Sequence, residues 1–219
     1  MPVPPQTPMS PGPFRVREGD QLPVQASAVT CGSASLIVAR MLADPAFTEL
    51  VTDLSARRGA GPAWATLERA VLGHTNSAVS GAGLALPWPR CWGTPPWGAR
   101  RELETRVVTT PTRYAVWPVR TAGPAARRAR LHDLAARLTA DRPALLYVGS
   151  RWLPRHVTLL TLGDENPSDT GLLAYDPGNG LVTRFDVDAF ADGRLTLGGW
   201  PQPWFLIGPV DASPRPASR

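Results

Sequence analysis

The chain contains no lysine, so arginine supplies all 23 of its basic residues against 18 acidic ones. Two cysteines cannot build a disulfide framework. Three histidines beside them are too few for a site of several His and Cys ligands, so neither a metal nor another cofactor is expected. No apolar run reaches the roughly 18 residues of a transmembrane helix, and no membrane partner is expected. The opening MPVPPQTPMSPGPF has neither a basic start nor an apolar stretch, so no secretory signal is visible. Free thiols without a signal point to the cytoplasm, or to export without a visible signal peptide. Isoleucine occurs only twice, while Ala, Arg, Gly and Pro are abundant, the bias of a GC-rich genome.

What is present suffices for one domain. A chain of 219 residues, 43% of them hydrophobic, buries about 70% of its unfolded surface without staples. The net charge of +5 would permit nucleic-acid binding, but the arginines come in scattered pairs such as Arg57-Arg58, Arg100-Arg101 and Arg127-Arg128. A solvated surface accounts for them, and no nucleic-acid partner is expected.

Residues 1–20 begin with a proline-rich stretch and are expected to form a disordered tail, as are residues 211–219. Residues 21–210 then form a single domain carrying a Trp/Pro-rich insertion at 75–123. Ala34, Ile37, Val38, Met41 and Leu42 recur at helical spacing from Cys31, and Asp44-Pro45 ends that helix. Phe47, Leu50, Val51 and Leu54 mark a second helix stopped at Gly59, and a shorter third starts at Pro62. The insertion carries short strands around 106–109 and 114–119, and its tryptophans line a groove or pin a loop to the core. Leu131, Leu134, Ala135 and Leu138 form another helical stripe. Apolar runs at 143–148, 156–162, 171–175, 181–187 and 203–207 read as strands joined by hairpin-length turns. Helices first and consecutive strands later predict an α+β fold, a helical N-terminal half packed on a C-terminal antiparallel sheet.

Cys31 opens the first helix, where free backbone N–H groups favour an anion, as a nucleophilic thiol requires. Considered alone, a free cysteine is more often a small buried hydrophobe. His156 opens one strand and Asp176 closes the next, with the turn-rich Gly163–Thr170 between them. A register pairing 161 with 171 sets 156 opposite 176 on one face, whereas a slip of one residue separates them. The carboxylate then fixes the imidazole while the other ring nitrogen faces a thiol. Gln25, six residues before Cys31, can donate its amide to a developing oxyanion beside the Cys31 N–H. The remaining candidates read as structural. His74 lies at a helix end, His132 at a helix boundary and Cys91 in the PRCWGTPPW loop. Asp164, Glu165 and Asp169 lack the spacing of a calcium loop.

The segments QASAVTCGSASLIVARML, RPALLYVG, HVTLLTL and AYDPGNG together resemble the papain-like cysteine peptidases, closest to the bacteriocin-processing (double-glycine-type) peptidases and their stand-alone relatives. The resemblance covers residues 25–42 and 130–187 and hardly touches the middle. It implies a papain-like fold and a thiol protease that hydrolyses a peptide amide through a thioester acyl-enzyme. Cys31 would be the nucleophile, His156 the base and then acid, Asp176 the orienting carboxylate and Gln25 the oxyanion donor. The implied partner is a peptide or protein substrate, and an inhibitor or immunity partner stays open. The same triad would also serve transpeptidation or glutamine deamidation, including in a bacterial toxin or effector domain. A non-catalytic peptide-binding module is the reading from another class. The chain departs from the family at Arg155, where a small residue is usual, and in the long segment between Cys31 and His156. No transporter segment follows, so coupling to export is not implied.

Overall fold

The computed structural model describes residues 13–77, 79–80, 83–84, 88–163 and 171–211, and the acidic turn residues Asp164, Glu165 and Asp169 lie outside these. Helix α1 (Cys31–Ala43) begins where expected and is almost wholly buried. It stops because Pro45 drives Asp44 out of the helical region, to φ −131°. The Asp44 side chain then accepts from the Phe47 N–H at 3.2 Å and caps α2 (Pro45–Arg58). Leu50, expected on the buried face of α2, is 51% exposed, since only Phe47 and Val51 of that helix reach the core. Gly59, at φ +82°, divides α2 from α3 (Ala60–Thr75). This third helix starts two residues before Pro62 and is the longer one, 16 residues against 14. Proline is tolerated in a first turn, where its missing N–H has no helical partner to lose.

The segment read as irregular contains more order than expected. Strands β1 (Val79–Ser80) and β2 (Gly83–Leu84) form a short ladder, and α4 (Pro96–Glu102) runs into a π-helical turn at Leu103–Val107. The expected strand at 106–109 is therefore helical over 106–107. Buried Ala99, Leu103 and Val107 recur every four residues, a helical spacing that outweighs the β-branched character of the local sequence. Strand β3 (Arg113–Pro118) and helix α5 (Pro124–Ala135) follow, but α5 ends before Leu138, which is expected on its stripe and is buried beyond its end.

Strands β4 (Ala144–Gly149), β5 (Pro154–Leu162), β6 (Leu172–Asp176) and β7 (Leu181–Arg184) form a meander. Helix α6 (Val187–Asp192) replaces the end of the expected 181–187 strand, because Asp186 caps it by accepting from the Ala189 N–H at 2.8 Å. Strand β8 (Gln202–Val210) then returns between β3 and β4, so the final connection is not a hairpin. The sheet is antiparallel with order β3-β8-β4-β5-β6-β7. The fold is thus mixed α+β with its first three helices N-terminal. Both sheet faces are covered: Leu145, Tyr147, Val157 and Leu159 pack with α1, while Leu146, Val148 and Leu160 pack with Leu131, Leu134 and Phe190.

Residues 14–20 do not behave as a tail. Val16 is 2% exposed, the Gly19 N–H donates to the Val182 carbonyl at 2.9 Å, and the Val182 N–H donates to Asp20 at 3.0 Å. The segment covers the edge of β7, which would otherwise offer unpaired backbone groups.

One irregularity sets up the site. Val148 pairs with His156 but Gly149 pairs with Pro154, leaving Arg155 as an unpaired bulge residue. Gly149 makes room for that bulge, since a Cβ there would stand 2.1 Å from the Leu153 carbonyl oxygen. Gly149→Ala is expected to cost about 2 kcal/mol through overpacking, a fall of about 5 °C in thermal melting. An unchanged melting temperature would show that the bulge is slack.

Candidate active site

His156 and Asp176 meet in a buried hydrogen bond, in which His156 Nε2 donates to Asp176 Oδ1 at 2.7 Å. The register that achieves this is not the expected one. Thr161 pairs with Leu173, not with residue 171, a shift of two positions along β6. A two-residue shift preserves the face of every side chain, so the pair survives where a one-residue slip would have parted it. Asp176 also accepts from the Gly178 N–H at 2.9 Å and from the Gly198 N–H at 2.6 Å. Burial raises the carboxyl's proton affinity, but the His156 hydrogen bond and charge, with these two amides, bring it below the ordinary carboxylate value.

The second ring nitrogen of His156, Nδ1, is not used by Asp176, and the Cys31 thiol is close enough to the imidazole to raise its proton affinity. Burial disfavours the imidazolium, yet the hydrogen bonds and charges of Asp176 and Cys31 outweigh it and raise His156 from 6.5 to about 9. Along β5, Val157 and Leu159 join the core on the α1 side while Leu160 joins the opposite one. Alternation puts His156 with Leu160, away from the α1 face, so it comes near Cys31 only at the margin of the sheet, two residues into β5 and at the first residue of α1.

Small residues allow α1 its position. A Cβ on Gly32 would come 2.6 Å from Thr94 Cβ, and the buried Ser35 hydroxyl donates to the Val157 carbonyl at 3.2 Å. Thr30 gives α1 no side-chain cap, so the first-turn N–H groups stay without that partner.

Gln25 reaches the same region by a different route from the one expected. Its backbone N–H donates to the Pro177 carbonyl at 2.8 Å, tying it to the Asp176 turn. One side-chain N–H of Gln25 is already given to the Ser27 carbonyl at 2.8 Å, leaving one amide hydrogen for an oxyanion.

Two contributors escaped the sequence reading. Glu68, fully buried on α3, accepts from the Ala26 N–H with both carboxylate oxygens, at 2.9 and 3.1 Å. Its burial pushes the carboxyl up despite those bonds and the Thr30 hydroxyl. The available signal was a carboxylate among Trp64, Leu67 and Val71 on the apolar stripe. Gly198, in LGGW, sits at φ +57°, where a Cβ would lie 2.5 Å from His156 Cδ2. No motif announced it.

A cleft of about 390 Å³ opens beside His156, lined also by Gln25, Cys91, Trp92, Arg155 and Trp200. Cys91, read as structural, is an exposed free thiol in that wall. Cys31 is 3% exposed and does not itself line the cleft. Trp88 packs edge-on against Trp92 and Trp97 at 5.4 and 5.3 Å, so part of the insertion both folds on itself and reaches the cleft. A larger hollow of about 830 Å³, near Arg100, Glu104 and Tyr114, contains no thiol or imidazole. His74 lies 3.8 Å from Glu102 and His132 is exposed, so neither joins the site. Among the described residues, no group of three His, Cys, Asp or Glu side chains is placed to hold a metal ion. No described helix is long and apolar enough to cross a membrane.

Comparison with known proteins gives no match to a family model, a curated protein or a solved structure.

The pair fixes a pH dependence. A histidine raised on folding contributes stability in full below its unfolded value of 6.5, and loses it as pH rises through about 9. In urea denaturation, the stability advantage of the wild type over His156→Gln is expected to shrink between pH 6 and 9.5. The depressed Asp176 acts at the other end, its contribution disappearing as pH falls through its folded value. An advantage that stays constant from pH 6 to 9.5 would contradict the coupling.

Proposed function

We propose that the protein is a papain-like cysteine peptidase that hydrolyses a peptide amide through a thioester acyl-enzyme. The observation that carries this reading is the buried His156–Asp176 hydrogen bond, with the Cys31 thiol, at the start of a buried helix, close enough to act on the imidazole. In this scheme Asp176 holds the His156 tautomer through Nε2, and Nδ1 takes the thiol proton. Cys31 Sγ attacks the carbonyl carbon, and the oxyanion accepts from the Cys31 N–H and the remaining Gln25 amide hydrogen. His156 then protonates the leaving amine, activates water for attack on the thioester, and returns the proton to sulfur on release of the acid. Transfer to another acceptor, or attack on a glutamine side chain, would use the same residues. A pure binder has no need for a buried imidazole held between a carboxylate and a thiol.

The test combines a proteome-derived peptide library with thiol labelling. The wild type is expected to generate new peptide termini, each cleavage adding about 18 Da, where glutamine deamidation would add about 1 Da. Cys31→Ala is expected to abolish this without altering thermal melting. Iodoacetamide is expected to label Cys31 faster than Cys91 at about pH 6.5, and His156→Ala to remove the advantage. Turnover retained by Cys31→Ala, or equal labelling of both thiols, would refute the reading.

A further inference from the structure

The bulge on β5 has an effect that a thiol–imidazole pair does not require. In a regular strand Arg155 and His156 would point to opposite faces. Here Pro154, Arg155 and His156, three consecutive residues, all line the same cleft. The register slip between Val148 and Gly149 makes this arrangement, and Gly149 is the residue that permits it. The arginine so presented is exposed, and no other described residue gives it an ion pair, a hydrogen bond or a ring contact. Some exposed arginines are paired, as in Arg128 with Asp188, Arg184 with Glu18 and Arg194 with Asp192, and unpaired ones such as Arg57, Arg58 and Arg113 do not line this cleft. Among the described residues lining the cleft there is no carboxylate. The acid nearby, Asp176, is 5% exposed and already accepts from His156, Gly178 and Gly198. The aromatic walls Trp92 and Trp200 keep part of the surroundings low in polarity, where a guanidinium–carboxylate pair is stronger than in open water.

We infer that Arg155 is a specificity-determining residue that binds a carboxylate of the substrate, so that the cleft prefers peptides carrying negative charge near the scissile amide. The inference rests on the peptidase reading of the same site. The carboxylate has two sources, an acidic side chain or a free C-terminus, and the guanidinium recognises both through the same planar fork.

Haloacetyl peptides test this without a known substrate, because the bromoacetyl carbon alkylates Cys31 with loss of bromide. Three probes are compared by mass spectrometry at Cys31, with Cys91 as internal reference. They are bromoacetyl-Gly-Asn-amide, bromoacetyl-Gly-Asp-amide and bromoacetyl-Gly-Asn with a free C-terminus. At least one acidic probe is expected to react about threefold faster than the neutral one at Cys31, the size of a partly exposed charge pair. Arg155→Gln is expected to remove the preference and Arg155→Glu to reverse it, each read as the ratio of acidic to neutral probe rates at Cys31 within the same variant. The faster acidic probe identifies the carboxylate's source. Equal rates for all three at a reactive Cys31, or a preference unaffected by Arg155→Gln, would overturn the inference alone. A Cys31 inert to every probe would instead overturn the peptidase reading, and this one with it.

Discussion

The buried hydrogen bond between His156 and Asp176 is the constraint on which the arrangement turns. It demands that two strand positions twenty residues apart share a face, that the chain reverse sharply after Asp176, and that nothing larger than glycine stand over the imidazole. Gly178 and Gly198 meet these conditions and at the same time donate their amides to the carboxylate. A buried carboxylate so surrounded stays ionised, and the imidazole between it and a thiol gains protons more readily than free histidine. Left without either neighbour, each of these groups would be an uncompensated polar side chain in a dry site.

The second constraint is the approach of α1. Helix, sheet and the Thr94 segment converge on a start made only of Cys, Gly, Ser and Ala, and bulkier residues there would hold the thiol away from the imidazole. Thr30 does not cap the helix, but its hydroxyl closes the entering turn by accepting from the Ser27 N–H and donating to the Ser27 carbonyl, and three further ties hold the segment before it. Glu68 grips the Ala26 amide, Tyr175 donates to the Pro23 carbonyl, and the Gln25 amide bonds to Pro177. These three ties link α3, β6 and the Asp176 turn to one short segment. The geometry around Cys31 is therefore a property of several elements and not of the motif alone.

Much of this was legible in order along the chain. The 3.6-residue pattern after Cys31, the proline stop at Asp44 and the apolar runs of β4 to β6 are local signals, and each became the expected element. The pairing of His156 with Asp176 was legible only to within an even register shift, because the face of a side chain depends on parity and not on the exact partner. Long-range effects were not legible. Val16 and Phe14 look like part of a proline-rich tail until the exposed edge of β7 gives them a place to pack. Glu68 reads as a surface residue until the Ala26 amide needs an acceptor. The cleft position of Cys91 and the bulge at Arg155 belong to the tertiary arrangement, and no composition or periodicity encodes them on its own.

The most direct test is an NMR titration of the His156 ring in the wild type and in Asp176→Asn. A thiol–imidazole–carboxylate assembly requires the imidazole to keep its proton to about pH 9, and to lose it at lower pH once the carboxylate charge is removed. A midpoint near the ordinary 6.5, unchanged by Asp176→Asn, would mean that the three side chains are neighbours without being coupled.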